Sequence, residues 1–473
     1  MAKQKKNGTS QEKPEGGKQG KIQGNKVAAG PGKIEVRHLT RVEGHGNIVV
    51  TLGPEGQIDE ARWEVNEAPR FFEAMVQGRP YSDIHHIVSR ICGICSIGHQ
   101  LCSIQATEDA FRIQPSEQTL RLRKLALHAE NLQSHLLHIG YLVLPDLLGV
   151  DSALALADTH KKELLDVIGC RRISNEFSGI ICGRTTHPQR LIPGGMEKVP
   201  TRDELLELKK KLQEGLAHAD RLVSLFASLK DNIPDLDRPT EYVALVAPTE
   251  YAMYRGEIGT NLDQRRPALL YDQVSNEYCV PQSTAKWAKN VRESYMVGAL
   301  ARFNLNSEHL TPKAAKAAKK IGLKAECTNP YYNSLAQMVE CVHSLEDSLR
   351  ITEDLLSRGV HPEPPAEIKP QTGRGVGAVE VPRGILFHAY DYNEDGRIAS
   401  ADCVIPTNQN HANIQGDFNA LAPMLSGKDP EEIELKLSML VRGYDPCISC
   451  STHMLDMQPG RPEGRVIFKY REE

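Results

Sequence analysis

Arg90-Ile91-Cys92-Gly93-Ile94-Cys95-Ser96-Ile97-Gly98-His99 stands in the first quarter of the chain, and Asp445-Pro446-Cys447-Ile448-Ser449-Cys450-Ser451-Thr452-His453 stands near its end. Each stretch frames a Cys-x-x-Cys pair. Four thiolates from two such pairs can close a tetrahedral or square-planar site for a soft metal. Over 350 residues separate the pairs, whereas zinc fingers and ribbons keep theirs close together. A site joining both pairs therefore lies at the centre of a large fold, where the two ends of the chain meet.

Working outward, Cys95 and His99 are four residues apart and share one face of a helix. Cys92 and Cys95 are expected in its first turn, where free N–H groups and the helix dipole favour thiolate over thiol. Asp445-Pro446 predicts an extended or turn entry to the second pair. Eleven cysteines in 473 residues form only these two tight pairs. An odd count without further pairing does not describe a disulfide framework and points to a reducing, cytoplasmic setting. The other seven read as core thiols.

A net charge of -4 gives no basic field for nucleic acid. No run of about 18 apolar residues predicts a membrane span, and no apolar segment near the start predicts a secretory signal. Residues 1–32 are rich in Lys, Gly, Gln and Asn. They offer too little apolar surface to offset ordering, and predict a disordered basic tail.

Ile34 to about Trp63 alternates apolar and polar residues around a Gly-Pro-Glu-Gly turn at 53–56, which predicts a small antiparallel sheet. The first Cys pair opens a helical pattern to about Phe111. Residues 117–145, 202–232 and 332–358 carry apolar residues at helical spacing over many turns, and 286–304 is expected to be another helix. Short strands are expected at 241–246, 385–390 and 397–405, and a linker over the Pro-rich 361–370. The fold class is α+β, predominantly α: a core of long bundled helices with small antiparallel β elements, as one domain over 33–453. Asp391-x-Asn393-x-Asp395-Gly396 imitates a calcium loop, but its strand-like flanks and Asp402 in the last position favour a hairpin turn.

With these motifs the chain resembles the large, catalytic subunit of nickel–iron hydrogenases. Thr40-Arg41-Val42-Glu43-Gly44-His45, Arg70-Phe71-Phe72-Glu73, the Gly183–Gly195 stretch with His187-Pro188, Val297-Gly298-Ala299-Leu300-Ala301-Arg302, Val381-Pro382-Arg383-Gly384 and Val404–Asn410 match further blocks of that family, in its order. The resemblance implies reversible heterolytic cleavage of dihydrogen. Cys92 and Cys447 would be terminal thiolates on nickel. Cys95 and Cys450 would bridge nickel to an iron that also carries cyanide and carbon monoxide. Cys447 would accept the proton and Glu43 would pass it on. Arg383 would lie over the metal pocket, paired with Asp445, and His99 would donate to a bridging sulfur. Ser134 stands where many members place a second pocket Asp. Glu73, His453 and the backbone carbonyl of His411 would hold magnesium.

Gln409 replaces the Trp that many membrane-linked members carry, which with Ser134 leans toward the soluble, cofactor-coupled branch. Residues 454–473 would be an extension removed by a maturation endopeptidase once chaperones have inserted nickel. No further cysteine cluster suggests an iron–sulfur centre, so a small iron–sulfur subunit is implied as partner, with room for further electron-transfer subunits. Two alternatives stay open: a quinone-site subunit of the complex I type, which lacks the metal cysteines, and a zinc-bound structural protein.

Overall fold

The structure, a computed structural model, describes residues 26–30 and 32–452. Lys33–Arg37, Gly46–Leu52 and Ile58–Val65 form an antiparallel meander that buries Ile34, Val36, Ile48, Val50, Ala61 and Trp63 on one face. The period-two alternation dictates that arrangement. Lys26–Gly30 pairs with its outer edge as a fourth strand, within the stretch that composition assigns to a tail.

Long helices form the centre. Glu117–Leu137, Lys161–Cys182, Arg202–Leu229 and Asn333–Arg358 pack on one another as a bundle. The Arg202 helix starts on a capping box: Thr201 Oγ1 accepts from Glu204 N at 3.2 Å, and Thr201 N donates to Glu204 Oε2 at 2.7 Å. The Glu117 helix runs into one π turn, His138–Val143. That turn brings His138 to Gln337 at 2.5 Å and to the carbonyl of Arg442 at 2.6 Å, just ahead of the second Cys pair.

Ser96–Ala110, the helix after the first Cys pair, lies on a three-stranded antiparallel sheet of Gly373–Val381, Gly384–Tyr392 and Ile398–Val404. Both faces of that sheet are buried. Val379, Val381, Leu386 and Tyr390 join the main core, while Val376, Ala378, Ile385 and Phe387 join a smaller core around the Glu241–Val246 strand. The expected calcium-like loop is the second hairpin turn: Asn393 Oδ1 accepts from Asp395 N and Arg397 N, and Gly396 takes φ +70.

The helix expected at 286–304 is not formed. Trp287–Lys289 and Tyr295–Met296 are short strands, the latter parallel to Glu241–Val246, and a helix begins only at Ala299. Gly298, at φ +118, breaks helical geometry immediately before it. Lys161–Cys182, Pro312–Ile321, Pro406–Leu425, Pro430–Gly443 and the Gly373–Val381 strand were not anticipated. Among the cysteines outside the two pairs, Cys102, Cys170, Cys182, Cys341 and Cys403 are core thiols as expected; Cys279 is exposed and Cys327 half-buried. No described helix is long and apolar enough to cross a membrane.

Candidate metal centre

The two Cys pairs meet. Cys92 Sγ lies 3.6 Å from Cys447 Sγ, and the sulfurs of Cys92, Cys447 and Cys450 all fall within 4.8 Å of one another. Cys95 adjoins this group, and all four side chains are buried. Cys95 is the N-cap of the Ser96–Ala110 helix, and Cys92 precedes it in extended conformation. The pair thus sits just ahead of the helix rather than in its first turn. The N–H groups of Ile94 and Cys95 nevertheless point at Cys92 Sγ, at 3.3 and 3.2 Å. Burial pushes the Cys92 thiol up. Hydrogen bonds from Cys447, Cys450 and Cys95, with the Arg383 charge, outweigh it and hold Cys92 well below the usual thiol range. The Cys447 hydrogen bond holds Cys95 protonated, and burial does the same for Cys447 and Cys450. Deprotonating all four thiols in so buried a cluster requires cations in its midst.

Arg383 supplies a cation from the tip of the Gly373–Tyr392 hairpin. Its Nε donates to the Asp445 carbonyl at 2.6 Å and its Nη2 to Asp445 Oδ1 at 2.8 Å. Burial works against its charge, but Asp445 and the facing sulfurs of Cys447, Cys95 and Cys92 hold it protonated. Nη1 is buried and has no partner among the described residues. Asp445 takes φ +52, a turn entry to the second pair as expected, and Gln337 Nε2 holds its other oxygen at 3.0 Å.

Glu43 reaches the cluster from the other side. Its carbonyl accepts from Ile448 N at 3.0 Å, a one-residue parallel bridge to Cys447. Its carboxylate accepts from Ser449 N at 3.1 Å and from Ser449 Oγ. His99 lies one helical turn beyond Cys95 with Nδ1 3.1 Å from His388 Nε2; His388 continues to Tyr390 Oη at 2.6 Å. Ser134 is buried, its Oγ without a partner among the described residues.

Three charged groups have contacts at the site that the motifs leave unassigned: Glu130 lies outside them, while Arg70 and Arg302 stand within matched blocks. Glu130, one turn before Ser134, caps the Ser96–Ala110 helix through Ile97 N at 2.6 Å and Gly98 N at 3.0 Å. Burial pushes its pKa up to about 8. Arg70 Nη2 bridges the two Cys segments, donating to the carbonyl of Ile91 at 2.5 Å and that of Ser449 at 2.6 Å. Arg302 lies behind Arg383, against the carbonyls of Val381 and Pro382. A carboxylate four residues N-terminal to a buried Ser, or an Arg beside a Phe pair, carries no periodic signal; only the fold brings them here.

Two of the three expected magnesium ligands, Glu73 and His411, lie within the described residues. Glu73 Oε1 accepts from Cys403 N at 2.8 Å. Glu277, Asp402 and Lys286 surround it: burial opposes the Lys286 charge, and these three acids together keep it. Asn408 Oδ1, buried beside Glu277, has no partner among the described residues. His411 is an interior residue of the Pro406–Leu425 helix. Its ring bridges Trp63 Nε1 at 3.0 Å and Ser451 Oγ at 3.1 Å, and burial pushes it down to about 3. Arg70 N donates to the Thr452 carbonyl at 2.8 Å. His453 lies outside the described residues.

A family model described as nickel-dependent hydrogenase matches residues 70–167 and 270–453, and a HoxL-like model matches residues 33–68. The chain is 33% identical over 426 residues to sulfhydrogenase 1 subunit alpha of Pyrococcus furiosus, covering 89% of this chain and 98% of that one. It is 27% identical to the NAD-reducing hydrogenase HoxS subunit beta of Cupriavidus necator, over 90% of this chain and 96% of the relative. A solved NAD+-reducing [NiFe]-hydrogenase in its H2-reduced state superposes with a TM-score of 0.82 at 28% identity, over 89% of this chain and 99% of that one. The chain belongs to the nickel-dependent hydrogenase family. It is the large, catalytic subunit of a nickel–iron hydrogenase, an oxidoreductase that cleaves dihydrogen reversibly into protons and electrons. Neither the quinone-site nor the zinc-bound alternative accounts for these matches.

Proposed function

We propose that Cys92, Cys95, Cys447 and Cys450 hold nickel and iron, with Cys95 and Cys450 shared between the two metals. One observation carries this reading: buried thiols from both ends of the chain meet beneath a buried guanidinium with one unused N–H group. Soft sulfur donors and a nearby fixed cation suit a redox-active metal pair with anionic ligands, and the orphaned Arg383 Nη1 fits a cyanide nitrogen as acceptor. Carbon monoxide would complete the iron. When bound, the metals supply the soft, redox-active centre at which dihydrogen is polarised and split.

The residues around them have separate tasks. Cys447 Sγ holds the departing proton. Glu43 takes it onward past Ser449 Oγ, toward the half-exposed Thr40–Gly44 loop. Asp445 fixes Arg383 over the pocket, and the ring of His99 tunes a bridging sulfur. Magnesium would be held by Glu73, His453 and the His411 carbonyl; Glu73, Glu277 and Asp402, grouped around Lys286, offer the oxygen-rich setting such an ion prefers. The His411 carbonyl is the weakest of these ligands, because inside a helix it already faces the N–H four residues on.

The named relatives are subunits, one of them of an NAD-reducing enzyme. This chain accordingly works in the cytoplasm with a small iron–sulfur subunit and further electron-transfer subunits, on a soluble carrier. Maturation chaperones insert nickel, and an endopeptidase removes 454–473. Metal analysis with Cys95→Ala tests the core of the proposal. The wild-type protein should carry nickel and iron and the variant neither; a variant with full metal and activity would refute the ligand assignment.

A further inference from the structure

The segment Val297-Gly298-Ala299-Leu300-Ala301-Arg302 wraps the turn that carries Arg383. Pro382 and Arg383 form the two-residue tip of a hairpin closed by Val381 and Gly384. Arg302, wholly buried, donates through Nη1 to the Val381 carbonyl at 2.9 Å and through Nη2 to the Pro382 carbonyl at 3.1 Å. Its own charge is met by Glu340, at 2.7 Å to both Nε and Nη2, and by Glu380 at 2.8 Å. His135 Nε2 and Tyr251 Oη hold Glu340 in turn, at 2.7 and 2.6 Å.

From the other side the backbone closes in. A Cβ at Gly298 would lie 3.2 Å from the Arg383 carbonyl, and one at Gly384 would lie 2.5 Å from Val297 Cγ2. Asn333 ties the same segment to the second Cys stretch, accepting from Leu300 N and donating to the Gly443 carbonyl, both at 2.9 Å.

We propose that Arg302 is a positioning residue that acts through Arg383, by fixing the two carbonyls before it so that Nη1 stays over the thiol cluster. A guanidinium serves because its planar fork spans two carbonyls and two carboxylates at once; an ammonium cannot hold that set in one geometry. The inference rests on the role given above to Arg383.

The test is a cycle of Arg302→Lys, Arg383→Lys and the double variant in the purified, metal-loaded complex. Each single change should lower kcat for dihydrogen oxidation, Arg302→Lys by about ten- to a hundredfold, the scale of a small misplacement of a reacting group. KM and nickel content should hold. The double variant should be no slower than Arg383→Lys alone, since a clamp has nothing left to position. Amide exchange in the peptide spanning 380–388 should quicken in Arg302→Lys more than elsewhere.

Losses that multiply in the double variant would overturn the inference, as would full activity in Arg302→Lys. Full activity in Arg383→Lys would instead bring down the role of Arg383. If Arg302→Lys fails to fold, Gly298→Ala presses on the same turn from its other side and must show the same non-additivity with Arg383→Lys.

Discussion

Glu43 reaches the second Cys segment through backbone and side chain together, at Ile448 and Ser449, and the two contacts can be separated experimentally. The bridge from its carbonyl to Ile448 N does not depend on the side chain. In Glu43→Gln the amide oxygen can still accept from Ser449 N, so the segment should stay in place while the titrating group is lost. Exchange of dihydrogen with solvent deuterium should fall at least roughly a hundredfold, the lower end of what a positioned acid–base group contributes. Nickel and iron content should not change; undiminished exchange would mean that the proton leaves by another path. At this scale the motifs made much of the site legible, because Cys-x-x-Cys, Glu43 and Arg383 each sit in a distinctive frame. Arg70, Arg302 and Glu130 were not legible as parts of it. Their contacts run to backbone groups 21 to 379 residues away in sequence, and nothing in the local pattern records such a partner.

Among the elements, the Ser96–Ala110 helix and the Gly373–Val381 strand decide whether the Cys pairs and Arg383 face one another. The helix lies directly on the strand because Gly375 and Gly377 have no side chains there: a Cβ at Gly377 would stand 2.0 Å from the Cys102 carbonyl, and one at Gly375 2.1 Å from that of Ala106. Gly377→Ala therefore has to lift the helix off the sheet by more than an ångström or fail to pack, at a cost at the upper end of overpacking penalties, about 3 kcal/mol. The expected result is a protein with lower melting temperature and little nickel; a variant that loads metal and melts like the wild type would show that the helix can shift without disturbing the centre. Helical periodicity found the bundle because Glu117–Leu137, Arg202–Leu229 and Asn333–Arg358 repeat their apolar residues over many turns. It missed Pro406–Leu425, which is buried on nearly every face and carries Asn, Gln and His there, so no stripe marks it. The Gly373 strand was passed over for a related reason. Alternate glycines weaken strand propensity, and here they are the signature of close backbone approach.

For the molecule as a whole, one consequence of joining distant segments at one centre is that the site cannot be complete until the end of the chain is in place. Thr452, the last described residue, is buried, and Arg70 and Ala68 hold it by hydrogen bonds. Ser451 is likewise held by His411. Any chain that continues from a buried Thr452 has to pass back out between the elements packed around it. The sequence beyond His453 ends in the charged run Lys469-Tyr470-Arg471-Glu472-Glu473. On the proposed magnesium site, cutting after His453 would let that side chain join Glu73 at the cation and lock the second Cys pair against the first. Nickel entry would then precede cleavage, and the order of the two events is testable. Intact-mass measurement of active, nickel-containing protein should find a C-terminus at His453, whereas protein matured without nickel should keep Glu473. Fully active protein that still ends at Glu473 would show that the centre closes around an uncut chain, and His453 would then not be a terminal ligand.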